Sequence, residues 1–158
     1  MGSTRVIVPS RLAIDAKRII RAVSTGMDAA AEACRVDFVA TVGTWSTPAT
    51  FEVASQGAYT RQITTGNKIW GMLNEGTKPH RILPKKPNGK LRFRTGYASK
   101  TTPGVLGSNS GGASGGSVFA RGVNHPGTSP RSWDETAKDK YDDLLGKIVQ
   151  RAIDAAVD

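Results

Sequence analysis

Asn74–Arg94, NEGTKPHRILPKKPNGKLRFR, is the stretch that divides the chain. Glu75-Gly76-Thr77 reads as a turn, and Pro79 and Pro84 forbid a helix across the next segment. Lys85-Lys86-Pro87-Asn88-Gly89-Lys90 reads as a basic hinge. Leu91–Arg94 alternates apolar and basic residues, which predicts a short strand with Leu91 and Phe93 inward and Arg92 and Arg94 outward. Helical patterns lie on both sides of this stretch, one toward each end of the chain.

The same stretch opens a region of one charge sign. From Gly76 to Trp133 there are ten Lys or Arg residues and no Asp or Glu. The whole chain holds 22 basic and 13 acidic residues, so 12 basic residues face the 13 acidic ones outside this region. The formal charge of +9 is therefore a property of the middle. Such a field implies a phosphate backbone or an acidic protein surface nearby. The densest part is Lys85, Lys86, Lys90, Arg92 and Arg94, on a turn and a strand. That placement suits contact by charge without base reading. The plainer reading is a solvated face.

A length of 158 residues suits a single domain. A hydrophobic fraction of 38%, diluted by 18 glycines, implies a modest core and a sizeable unpacked segment. The one cysteine, Cys34, cannot form an intrachain disulfide and reads as a small buried hydrophobe. No apolar run is long enough to span a bilayer, and the N-terminus lacks a signal-peptide pattern, so synthesis and use on the cytoplasmic side are expected.

Taken in order, Arg5–Val8 reads as an edge strand or as a segment lying over a neighbour, and Ser10 as a helix N-cap. Apolar residues spaced by three and four then predict a long helix from about Arg11 to about Val42, with Gly26 marking a bend. The alternative ends the helix near Arg35 and makes Val36–Val42 a strand. Residues 50–55 and 58–65 alternate on either side of Gln56-Gly57, a hairpin signal. Lys68–Asn74 reads as a third strand, and Ile82-Leu83 as a short edge segment. Gly96–Gly116 is poor in apolar residues and is expected to be a flexible loop, its part from Gly104 to Gly116 ordered only against a neighbour. Its candidate contact residues are Val105, Leu106 and Asn109. Strand character resumes at Ser117–Val123, and Asn124–Thr128 is a turn. Ser132 and Glu135 read as a capping box opening a helix from about Trp133, with Tyr141, Leu144 and Ile148 packed on the sheet. The fold class is α+β: a small antiparallel sheet against a long N-terminal and a C-terminal helix.

His80 and His125 invite an acid–base reading, but each lies beside a proline in a turn and neither has a carboxylate near it in sequence. No phosphate loop, dinucleotide fingerprint, nucleophile elbow or paired-cysteine motif is present. Neither an enzyme nor a cofactor is expected.

Two segments, Trp70–Pro84 with its Asn74-Glu75-Gly76-Thr77 turn and Val123–Arg131 with its His125-Pro126-Gly127-Thr128 turn, resemble the neck or tail-completion proteins of tailed bacteriophages. The order and spacing match from Trp70 to the end of the chain, while the N-terminal helix matches in kind only. The resemblance implies an α+β subunit of a homo-oligomeric ring between capsid portal and tail. It implies neighbouring neck proteins (an adaptor or head-closure protein, and a tail terminator or tail tube) and DNA passing through the lumen. It carries no catalytic residues, and the loop at 96–116 is longer than the family pattern. The rival readings are a stand-alone basic nucleic-acid-binding protein and a small hydrolase using His80 and His125.

Overall fold

The computed structural model describes residues 15–157. The expected edge strand at Arg5–Val8, the Ser10 cap and helix residues 11–14 lie outside them. The chain is α+β. Helix α1 spans Ala16–Val42, and the Asp15 side chain accepts from the Lys17 amide at its start. The longer of the two helix readings therefore holds, and Val36–Val42 is helical. Strands β1 (Glu52–Ser55) and β2 (Arg61–Thr64) form the expected hairpin, in register from Glu52 opposite Thr64 to Ser55 opposite Arg61.

Lys68–Asn74 is not a strand. It belongs to helix α2, Lys68–Glu75. The Asn67 carboxamide accepts from the Ile69 and Trp70 amides, which nucleates the helix. Spacing by three then sorts the side chains: Trp70 and Leu73 turn to the core, and Ile69 and Met72 to solvent. In so short an apolar run, periods of two and of 3.6 are hard to tell apart.

Between α2 and the last helix the chain makes one excursion of nested antiparallel pairs. Strand β3 (His80–Ile82) pairs with β8 (Val123–His125), β4 (Leu91–Arg94) with β7 (Ser117–Ala120), and β5 (Tyr97–Ala98) with β6 (Gly112–Ala113). The expected small sheet is thus four separate two-stranded pieces, the β1–β2 hairpin included.

Helix α3, Trp133–Val157, packs along α1 rather than on a sheet as expected. At Gly26 a Cβ would stand 2.8 Å from Val149 Cα, so the glycine allows the two backbones to approach. The Ser132–Glu135 capping box does not form as expected. Ser132 has φ +48°, outside the extended conformation a capping residue takes. The acceptor comes instead from Asn74, whose side-chain oxygen takes the Trp133 amide at 2.7 Å and the Asp134 amide at 3.3 Å.

The core is aromatic and sits where these elements meet. Trp70 stacks on Trp133 with ring centroids 4.5 Å apart, and meets Phe38 and Phe51 edge-on at 5.0 and 4.8 Å. Trp45 meets Trp133 with ring centroids 6.3 Å apart. All three tryptophans are in this cluster. Tyr141 and Leu144 on α3 are only half-buried. Replacing Trp70 by Ala is expected to cost about 3–5 kcal/mol, and Leu144 by Ala about 1–2 kcal/mol. Chemical denaturation checks this; equal losses would show that the aromatic cluster is not the centre of stability.

Candidate functional site

The acid-free region is the excursion itself, and two glycine turns fix its root. Gly76 (φ +78°) and Gly127 (φ +89°) adopt backbone conformations that L side chains rarely reach. The turns face each other: Thr77 and Thr128 form a bridge, with amides donating both ways at 2.9 and 3.1 Å. A Cβ on Gly76 would stand 2.7 Å from the Thr128 carbonyl oxygen, and one on Gly127 2.2 Å from that of Thr77. Asn74-Glu75-Gly76-Thr77 and His125-Pro126-Gly127-Thr128 are therefore one structural unit.

Just above this root His80 and His125 are cross-strand partners, with ring centroids 5.0 Å apart. The β3–β8 register brings together the two histidines that the acid–base reading pairs. His80 Nδ1 lies 2.9 Å from the Lys78 carbonyl, so it carries the proton. His125 Nδ1 accepts from the Gly127 amide at 3.1 Å, so it does not. Both Nδ1 atoms are committed to holding the turns. Among the described residues no carboxylate or nucleophile is hydrogen-bonded to either ring, and no group of three or more His, Cys, Asp or Glu comes together to hold a metal.

Further out, Lys85 and Lys86 lie on the turn before β4, where Asn88 takes φ +59° and the Gly89 amide donates to the Lys86 carbonyl. Lys85, Lys86, Lys90, Arg92 and Arg94 are all exposed, and none joins an ion pair among the described residues. Arg92 reaches across the ribbon to Ser117 Oγ, and Arg94 Nε donates to the Gly115 carbonyl. These bonds lay both guanidiniums along one face, as the alternation predicts. Phe93 is not turned inward as expected: it is 41% exposed, because β4 pairs only with β7 and neither strand rests on a helix layer. Two other cations of the region serve structure. Lys100 Nζ donates to the Thr44 carbonyl, and Arg131 donates to Ser99 Oγ.

The 96–116 segment departs from the expectation of a loop without core contacts. Leu106 packs against the aromatic cluster, Thr101 is buried, and the Gly107 amide donates to Thr41 Oγ1 at 2.8 Å. Asn109 is held by its amide on the Lys100 carbonyl, and its side chain accepts from the Gly111 amide. Of the three candidate contact residues, Val105 has a largely exposed side chain, while its amide donates to the Thr102 carbonyl. The segment returns to the body through polar contacts, which a count of apolar residues does not register.

The body carries a second feature. A groove of about 360 Å³ lies between α1, β2 and α3, floored by residues that include Ala31, Cys34, Phe38 and Leu145. Arg61 closes one side. Its side chain is 5% exposed, pairs with Asp28, and donates to the Ser24 hydroxyl and carbonyl and to the Gly57 and Thr60 carbonyls. The Arg61 hydrogen bond holds the Asp28 carboxyl below its usual range. In the groove, burial pushes the Cys34 thiol up to about 11, with the Asp37 carboxylate adding to the effect, so the thiol is protonated at neutral pH and unreactive. Burial and a hydrogen bond to Asp37 raise Tyr141 as well. Among the described residues no helix is long and apolar enough to cross a membrane.

Thr41→Val is expected to speed amide exchange at Gly107 at least tenfold while leaving the α1 amides protected. Exchange at Gly107 that is already fast in the wild type would show that the segment is free of the body.

Comparison with protein-family models, with curated proteins and with solved structures finds no match to this chain.

Proposed function

We propose that this protein is a structural subunit of the neck of a tailed bacteriophage. In this reading copies form a ring between the capsid portal complex and the tail, and DNA passes through the lumen. It assembles in the host cytoplasm, between an adaptor or head-closure protein on one side and a tail terminator or tail tube on the other. The observation that carries the reading is the locking of the two glycine turns. The two short motifs that resemble the neck family, 48 residues or more apart along the chain, form the single root from which the acid-free ribbon grows. Chance matches to short glycine-rich motifs have no reason to meet in space.

Electrostatics supports the same reading. Five exposed cations on a turn and one strand face, without an ion pair among the described residues, suit phosphates that slide past without being read. They also support a second reading, a stand-alone basic nucleic-acid-binding protein, which would bind DNA in a salt-sensitive manner without any particle.

Particles made without this protein should be tailless capsids, or capsids and tails left apart, in negative stain. With Lys85, Lys86, Arg92 and Arg94 all changed to Gln, tails should be complete but DNA retained or ejected abnormally. Capsids and tails that fail to join would instead place the cluster at a protein contact. Normal particles and normal infectivity from both experiments would refute the proposal.

A further inference from the structure

The basic residues of the acid-free region do not all face solvent. Between Gly76 and Trp133 every Lys and Arg is exposed except Lys100 and Arg131, which are half-buried. Both line the same cavity, of about 510 Å³, at the root of the excursion. Its walls come from the loop after α1, from α2, from the start of the 96–116 segment and from the Gly127 turn. Among the described residues no carboxylate lines it.

Each of the two cations is held by one bond and keeps donors to spare. Lys100 Nζ donates to the Thr44 carbonyl, and Arg131 Nη2 donates to Ser99 Oγ. An ammonium has three N–H groups and a guanidinium five. Arg131 Nε is buried without a hydrogen-bond partner among the described residues. Neither side chain joins an ion pair among them. Taking a charge partly out of water without a counter-charge is costly, and a bound anion offsets that cost. The lining adds neutral donors. His125 Nδ1 accepts from the Gly127 amide, so this ring has its N–H at Nε2, and Thr101 and Thr128 bring hydroxyls. Tyr97 also lines the cavity and is 69% exposed. An exposed aromatic ring beside cations offers a stacking platform for a nucleobase.

We propose that this cavity binds the phosphate monoester of a nucleotide, with Lys100 and Arg131 neutralising the phosphate and Tyr97 stacking on the base. A monoester carries about two negative charges at neutral pH, which two cations balance. The volume lies in the range of small-ligand sites and admits a nucleotide, whereas a duplex is too wide to enter. Two sources offer this chemistry, a free mononucleotide and the 5′-phosphorylated end of a single strand. The site is separate from the Lys85–Arg94 cluster and does not depend on the neck reading.

Isothermal titration calorimetry on the full chain, with adenosine 5′-monophosphate (AMP) as the probe, tests it. AMP binds one per chain, and adenosine binds at least tenfold more weakly. Lys100→Gln weakens AMP and inorganic phosphate alike, at least tenfold. Tyr97→Ala weakens AMP at least fivefold and leaves inorganic phosphate unchanged. Lys85→Gln with Lys86→Gln leaves AMP binding within twofold, which separates the cavity from the general basic field. Circular dichroism verifies that the variants fold. Amide shifts of the wild-type chain need no variant: AMP moves Thr101 and Thr128 and not Lys85–Arg94. A 5′-phosphorylated single-stranded oligonucleotide that binds tighter than AMP identifies a strand end as the source, and AMP binding as tightly or tighter identifies a free nucleotide. The proposal is overturned by a chain that does not bind AMP, by binding that Lys100→Gln leaves intact, or by shifts confined to the ribbon. An unphosphorylated oligonucleotide that competes as well as the phosphorylated one would overturn it too.

Discussion

The side chain of Asn74 holds the structure at its narrowest point. One carboxamide oxygen at the end of α2 accepts the first two amides of α3, and the Arg131 and Ser132 amides return to the Leu73 and Asn74 carbonyls. These bonds fix the end of one helix to the start of another across more than fifty residues of intervening chain. A helix N-terminus left uncapped would bury polar amides beside an aromatic core, which is costly. The same junction presses Trp70 onto Trp133. Loop-closure entropy grows only slowly with loop length, so once the two ends are clamped the chain between them can be long.

That clamp explains the division of labour. Apolar burial is concentrated beneath it, in the three tryptophans, Phe38 and Phe51. Above it the ribbon is held by its own pairs and by local bonds such as those of His80 and His125. Relieved of the core, the ribbon can expose both an apolar and a basic face. The hairpin on the other side of the body is secured differently: Arg61 ties it to α1 at Asp28 and Ser24. Among the described residues the acidic ones lie on the helices, on the Asp15 cap of α1 and on β1, and the middle of the chain carries only cations, so the molecule is electrically polar along its own sequence.

Much of this was legible from the residues. The long helices, the 52–64 hairpin, the Leu91–Arg94 strand and the basic cluster all follow from periodicity and turn chemistry. What escaped depends on contacts that sequence spacing cannot state. Helix α2 looked like a strand because the stretch Lys68–Asn74 satisfies both periods, and the Asn67 cap decides between them. Ser132-x-x-Glu135 has the letters of a capping box, but its backbone is left-handed and Asn74 takes the role. Gly26 resembled a weak point because the passing Val149 belongs to another helix. The 96–116 segment looked unanchored because most of its anchors are a threonine hydroxyl and backbone carbonyls, with Leu106 as the apolar side chain that reaches the core. The apolar face of the ribbon required a register: Val118 joins Phe93 only once the two strands are paired.

The central claim is that this clamped, two-faced subunit serves in a virion neck. Immunogold electron microscopy with an antibody against this chain, applied to tailed particles from cells that make it, tests that claim most directly. The account predicts label at the junction of capsid and tail and nowhere else on the particle. Label confined to the soluble cell fraction, or spread along the capsid or tail, would contradict it.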